Sequence, residues 1–157
     1  MQGTSSFSLD GYDVVTDVSA VLSGGFLHFD DNGATSVGDT ITLNDVTFSD
    51  INVVPESAGD ETYGGVLYFK CESIDSVTLT EVVASDFSSE THGGFAYFDT
   101  FSGDFIINGN VGTQQPTFTD FHAETAGSFL YSEATDIDIM IYNSVFECDS
   151  THTATSV

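Results

Sequence analysis

The sequence has almost no positive charge. Only one of its 157 residues is basic, Lys70, against 25 Asp and Glu, so the formal net charge is −24 at pH 7. Binding to DNA or RNA requires Lys and Arg that neutralise phosphates, and a polyanion repels both phosphate backbones and anionic membranes. We therefore expect no nucleic-acid partner. Cations, positively charged proteins and neutral glycans stay open as partners.

Cysteine and long apolar runs are also scarce. Cys71 and Cys148 are the only two cysteines, too few and too far apart for a metal motif, and they form either a disulfide or two buried or half-buried thiols. No run approaches the roughly 18 apolar residues of a membrane span, so we expect no membrane insertion. The start, MQGTSSFSLDG, lacks the regions of a signal peptide, so a secretion signal would lie outside this chain.

A recurring glycine-led apolar segment dominates what the sequence does contain. It occurs as GGFLHF at 24–29, GGVLYF at 64–69, GGFAYF at 93–98 and GSFLYS at 127–132. A second family of short apolar segments alternates with it: FSL at 7–9, ITL at 41–43, VTL at 77–79, FII at 105–107 and IDIMI at 137–141. Such alternation is typical of stacked repeats.

A third element lies between these two families. Residues 86–93, DFSSETHG, and residues 120–127, DFHAETAG, agree in Asp, Phe, Glu, Thr and Gly at the same positions. Asp50 and the stretch 61–64 fit the same frame, once an insertion at about 52–60 is allowed. Each repeat unit therefore has three short segments.

These segments predict β-strands. They are rich in Val, Ile, Thr, Phe and Tyr, are separated by Gly, Ser, Asp and Asn, and show no helical spacing of apolar residues. We expect an all-β chain, a right-handed parallel β-helix of about four to five coils that spans residues 1–157, with coils starting near 7, 41, 77, 105 and 137. The alternative is a β-sandwich or propeller fragment, which would show hairpin turns at fixed places in the unit.

The GGxxxF strand and the Asp-Phe turn resemble the repeats of polymorphic outer-membrane proteins and autotransporter-like adhesins, which carry GGAI and FxxN in each β-helical coil. They also resemble the pectin-lyase-like β-helix repeats of large protist surface proteins. The resemblance covers residues 7–150, with Asp in place of the usual Asn near the Phe. It implies a β-helix in a surface protein.

Pectin-lyase-like folds include polysaccharide lyases and hydrolases, so catalysis has to be considered. Lyases of this fold use an Arg or Lys as the base, and this chain has only Lys70. Hydrolysis needs paired carboxylates, for which Asp30 and Asp31 are the candidates, although a solvated turn explains them more simply. No GxSxG nucleophile motif occurs. We therefore expect a protein that is not an enzyme.

The four histidines do not predict a zinc site, because they occupy mostly different places in the repeat unit. They are His28, His92, His122 and His152.

Two ladders of acidic residues are candidates for calcium binding. If the repeats are in register, like residues lie about 4.8 Å apart on neighbouring coils, and calcium is a natural counterion for such carboxylates. The simpler alternative is that these acids point into solvent and are screened by salt. The two ladders are Asp50, Asp86 and Asp120, and Glu61, Glu90 and Glu124.

The glycine-led strands predict an aromatic stripe. Strand alternation places Leu27, Leu67, Ala96 and Leu130 on one side together with Phe29, Phe69, Phe98 and Ser132. If that side faces inward, the opposite side is an outer stripe for binding protein or stacking sugars. It consists of Phe26, His28, Val66, Tyr68, Phe95, Tyr97, Phe129 and Tyr131. The alternatives are that loops cover the stripe or that it is the inward side.

Together these features predict a non-enzymatic structural or interaction module of an extracellular or cell-surface assembly, adhesin-like or filament-forming. The expected partners are copies of the chain itself or neighbouring β-helix segments, because core residues such as Ile139, Ile141 and Phe146 would be open at the end of the coil. The alternative is a carbohydrate-binding or carbohydrate-hydrolysing β-helix domain that uses the same stripe with Asp30 and Asp31.

Overall fold

The computed structural model describes residues 6–30, 38–110 and 114–147, and within these ranges every regular element is a β-strand. The strands are β1 (Ser6–Val21), β2 (Leu27–Asp30), β3 (Asp39–Val54), β4 (Leu67–Lys70), β5 (Ile74–Thr80), β6 (Val83–Ser89), β7 (Ala96–Thr100), β8 (Asp104–Asn108), β9 (Thr117–Ala123), β10 (Leu130–Ser132), β11 (Asp138–Tyr142) and β12 (Val145–Glu147).

These strands form a parallel β-solenoid of about four turns. One sheet has eight strands and the other has four, in the order β10-β7-β4-β2. The long strands β1 and β3 run across a corner of the coil, and in later coils the same path is divided into two strands. The eight-stranded sheet therefore supplies a first and a second face, and the four-stranded sheet supplies a third.

The three sequence families occupy these three faces in order. The segments FSL, ITL, VTL and FII lie in β1, β3, β5 and β8 on the first face, and IDIMI overlaps β11. The Asp-Phe element lies on the second face, and the Gly-led segment forms the corner and strand of the third. All strand pairings of the described residues are parallel, so the predicted parallel β-helix is confirmed and the hairpin-based alternatives are wrong. The right-handed sense stays a prediction.

The core consists of like residues stacked from coil to coil, because in-register parallel pairing places each residue above its counterpart. Phe69 stacks on Phe98 with ring centroids 5.3 Å apart. Phe95 stacks on Phe129 at 5.1 Å, with an angle of 7° between the rings. Full burial of a Phe side chain stabilises a fold by about 1.5–3 kcal/mol, so these ladders are a main source of stability.

The glycine pairs lie at the corner before the third face, as predicted, and their two members have different roles. The first glycine is left-handed in all four coils, with φ of 59° at Gly24 and Gly64, 63° at Gly93 and 62° at Gly127. The second allows close approach of the next coil, since a Cβ at Gly94 would lie 2.1 Å from the carbonyl oxygen of Ser128. Glycine meets both requirements because it has no side chain.

Replacement of Gly94 by valine is expected to lower the free energy of unfolding by at least about 1 kcal/mol. The added side chain would also meet the carbonyl oxygen of His122, 2.7 Å from an ideal Cβ. Thermal or denaturant unfolding measures the effect. Ser128→Ala is the matched control, because Ser128 occupies the same place one coil later and already carries a Cβ. An unchanged Gly94→Val midpoint would contradict the corner assignment.

Candidate functional site

Four aromatic side chains form a column on the outside of the third face, called here the outer aromatic stack: His28, Tyr68, Tyr97 and Tyr131. Strand pairing places them in one register. Their ring centroids are 4.6 Å apart for His28 and Tyr68 and 5.6 Å apart for each of the next two pairs. The leucine side of these strands faces inward, since the core cluster contains Leu67, Ala96, Phe69 and Phe98. The sequence alone left both orientations open.

A second aromatic row, which sequence reasoning missed, packs against this stack. Tyr63 and His92 each directly precede a glycine pair, pair with one another across the coils, and stack with centroids 5.6 Å apart. Tyr63 lies 4.6 Å from Tyr97, and His92 lies 4.8 Å from Tyr131. The position before the glycine pair was the available signal, but Ser23 and Ala126 occupy it in the other coils, so no aromatic repeat is visible there.

Half of the predicted aromatic stripe is not on the surface. Val66, Phe95 and Phe129 are buried in the core, and Phe26 packs against it. These residues follow the glycine pair directly, and the corner turns their side chains inward. The strict alternation used for the sequence prediction applies within a strand, and here it is broken because the strands begin only at the following residue, Leu27 in the first coil.

The outer aromatic stack is also poorly suited to stacking sugars. The rings of Tyr68 and Tyr97 are nearly parallel, with 5° between their planes, so much of each ring face is covered by its neighbour in the stack. Only 3% of Tyr97 is accessible to solvent. A sugar platform needs exposed ring faces, so this geometry favours a structural role for the middle of the stack.

The tyrosine hydroxyls of this cluster are paired with carboxylates. Tyr63 donates to Glu61, Tyr68 donates to Asp99 Oδ2 over 3.4 Å, and Tyr97 is hydrogen-bonded to Glu133. The hydrogen bond to Glu61, then burial, raises the pKa of Tyr63 to about 12. Burial, then the charge of Asp99, raises the pKa of Tyr68 to about 12. Burial and the bond to Glu133 raise the pKa of Tyr97 further.

The single basic residue of the chain lies beside this cluster. Lys70 Nζ is 3.5 Å from Asp99 Oδ2, and both side chains are partly exposed. A solvent-exposed ion pair of this kind contributes at most about 1 kcal/mol. The main effect of this ion pair is therefore to hold Asp99 within hydrogen-bonding distance of the Tyr68 hydroxyl.

The aspartate ladder is in register, and the backbone explains it. Asp50, Asp86 and Asp120 each lie between matched pairs of the second face, and each has a φ of 53°. Asp17, which the sequence reasoning missed, extends the ladder to the first coil with a φ of 56°. Asp and Asn tolerate this left-handed conformation better than most residues, so the repeated left-handed backbone accounts for the repeated Asp.

The glutamate ladder is also in register, because Tyr63 pairs with His92 and His92 with Ala126. Glu61, Glu90 and Glu124 are therefore neighbours on successive coils, and all three are exposed. Among the described residues, no group of three or more His, Cys, Asp or Glu side chains is arranged to hold a metal ion. Calcium binding by either ladder stays a prediction, with screening by salt as the simpler account.

The other sequence candidates lie apart from this cluster. Asp30 ends β2 opposite Lys70, whereas Asp31, Cys148 and His152 lie outside the described residues. Cys71 is buried. Because Cys148 lies outside the described residues, the choice between a disulfide and two thiols stays open. In the part of the chain that the structure describes, no helix is long and apolar enough to cross a membrane.

Both ends of the described solenoid present core positions to solvent. In the first coil Phe7 is 44% exposed, and in the last coil Ile139 and Ile141 are 42% and 43% exposed. These residues occupy inward-facing positions, since their partners one coil further in, Ile41, Phe105 and Ile107, are buried. The ends are therefore the sites where apolar core side chains reach the surface.

Comparison of the chain with protein-family models, with curated proteins and with solved structures finds no match. The resemblance to outer-membrane and adhesin repeats is therefore supported at the level of the β-solenoid alone.

Replacement of Asp50, Asp86 and Asp120 together by asparagine should preserve stability at high salt and raise it at low salt. Asparagine tolerates the left-handed conformation equally well, while the substitution removes like charges about 4.8 Å apart. Thermal midpoints at two ionic strengths test this. Asp86→Val is the contrasting variant and should destabilise, because a β-branched residue is strained at this φ.

The same asparagine variant also tests whether the aspartate ladder binds calcium. If calcium raises the midpoint of the original chain more than sodium does at equal ionic strength, and the asparagine variant loses that difference, the ladder binds calcium.

Stability should also fall at alkaline pH. The folded-state pKa values of Tyr63 and Tyr68, about 12, lie above the ordinary value of 10.0, so their contribution is complete below pH 10 and is lost as the pH rises through about 12. Unfolding midpoints across this range, with phenolate absorbance as a second signal, measure the loss. A triple Tyr→Phe variant at 63, 68 and 97 should show a weaker decline, and an equal decline would contradict this assignment.

Proposed function

We propose that this chain is a non-enzymatic structural and interaction module of an extracellular or cell-surface assembly. The observation that supports this most directly is the exposure of inward-facing apolar residues at the two ends of the solenoid. Exposed apolar patches of this kind mark contacts with other proteins. In this proposal the ends are the binding surfaces and the coils between them act as a rigid spacer.

The arrangement of the polar groups is consistent with this role. The candidate residues with the most perturbed environments, Tyr63, Tyr68 and Tyr97, use their hydroxyls to bind carboxylates of the same chain. The Asp ladder is accounted for by backbone conformation. The bonds of Tyr68 to Asp99 and of Tyr97 to Glu133 join neighbouring coils, whereas a catalytic site would direct polar groups towards a substrate.

The strong negative charge also suits an extracellular spacer. A net charge of −24 makes the faces of neighbouring solenoids repel one another, which opposes lateral aggregation. Contacts between modules are then favoured at the apolar ends.

An antibody raised against the folded chain should label intact, unpermeabilised cells of the source organism, or detect the protein in their medium. Immunofluorescence before and after permeabilisation measures this, with antibody pre-absorbed on the purified chain as the control. Labelling that appears only after permeabilisation would overturn the proposed location.

A further inference from the structure

We propose that the end face of one copy binds the opposite end face of a second copy, so that β1 of the second copy continues the sheet above β11 and β12 of the first. The inference rests on the proposed function, because it names the partner of the exposed ends. It depends on three features of the described strands: the apolar ladders, the charges at the edges and the unpaired edges themselves.

The apolar ladders of the two ends match in register. Phe7 and Ile139 are the two ends of one inward ladder, whose intermediate members are Ile41, Val77 and Phe105. A copy stacked in the same register would place its Phe7 against Ile139 and its Leu9 against Ile141. The exposed apolar side chains at both ends would then be buried by coil-to-coil stacking, as their counterparts inside the solenoid are.

The second face extends the same match. Val15 and Phe146 are the end members of a ladder that passes through Phe48, Ala84 and Phe118, all buried. Phe146 is 38% exposed and already stacks on Phe118 with centroids 5.2 Å apart. Val15 of a second copy would cover its open side.

The outward residues of these edges are compatible in charge, which is notable in a chain with 25 acidic residues. In this register Ser6 would lie opposite Asp138, Asp10 opposite Tyr142, and Thr16 opposite Glu147. None of these pairs places one carboxylate against another. Like charges directly opposite each other destabilise a sheet, so their absence favours this pairing.

The edges of β1, β11 and β12 are also free to pair within the described residues. β1 pairs only with β3, β11 only with β8, and β12 only with β9. Unpaired strand edges are templates for pairing with another chain. On the third face, β2 of the second copy would lie two strand spacings from β10 of the first copy, which is too far for the two strands to pair. The proposed contact therefore lies on the first two faces.

Such a contact joins two different surfaces, so it does not close on itself and builds an open filament. Because each copy carries the same high negative charge, association should strengthen as ionic strength rises. The expected product is a filament one solenoid wide.

Directed disulfide formation tests the register. Ser8 and Met140 are outward members of one ladder, so in the proposed contact their Cα atoms would be about 4.8 Å apart, within the range of a disulfide. A chain carrying Ser8→Cys and Met140→Cys, with Cys148→Ser to remove a competing thiol, should form a series of covalent oligomers under mild oxidation. A mixture of the two variants that each carry one of the introduced cysteines should stop at the dimer, because Cys71 is buried.

The controls separate this contact from others. Each variant with one introduced cysteine should on its own stay monomeric on a denaturing gel, and a covalent dimer of either one would indicate a symmetric contact and overturn the proposal. The pair Ser8→Cys with Tyr142→Cys, displaced by two residues, should cross-link severalfold less, although Tyr142 is the more exposed partner. Equal cross-linking would overturn the register.

Sedimentation of the unmodified chain provides a reading that needs no cysteine. Assemblies should grow with protein and salt concentration, and Ile139→Asp with Ile141→Asp should abolish them while circular dichroism still shows a folded β-protein. A monodisperse monomer at every salt concentration would overturn the proposed contact. That result would leave cell-surface labelling unaffected, whereas loss of surface labelling would leave the end contact measurable, so the two proposals fail separately.

Discussion

In-register parallel stacking is the constraint on which the rest of this structure depends. Every coil places its residues above the corresponding residues of the coil before it, so each requirement of one coil is repeated in the next. Glycine pairs, left-handed aspartates and inward phenylalanines recur for this reason. A side chain that does not fit cannot be accommodated locally, because its neighbours lie about 4.8 Å away on both sides.

The same constraint explains why residues that look functional have structural roles. Asp86 has the carboxylate of a metal ligand, yet its backbone is left-handed, with a φ of 53°, a conformation that Asp tolerates better than most residues. Tyr97 looks like a binding aromatic, yet it is enclosed between neighbouring rings and bound to Glu133. Repetition of a polar or aromatic residue in a solenoid therefore indicates first a requirement of the coil.

The ends are where stacking stops within the described residues, and their properties differ from those of the faces. Along the solenoid, inward side chains such as Phe105 are buried and the outer surface carries most of the negative charge. At the ends, equivalent side chains such as Ile139 are exposed. This difference between the sides and the ends supports the proposed association along the axis.

The sequence by itself determined the all-β class and the parallel coil, because those properties follow from local spacing: the short alternating segments and the interval between glycine pairs. The tertiary structure alone decided that the leucine side faces inward, which face Phe95 occupies, and that Tyr63 and His92 pack against the outer aromatic stack. Those outcomes depend on how the corner turns and on which residues of other coils lie beside it. Spacing along the chain does not decide these outcomes, since Phe95 lies just before its strand and Tyr63 pairs with a residue of another coil.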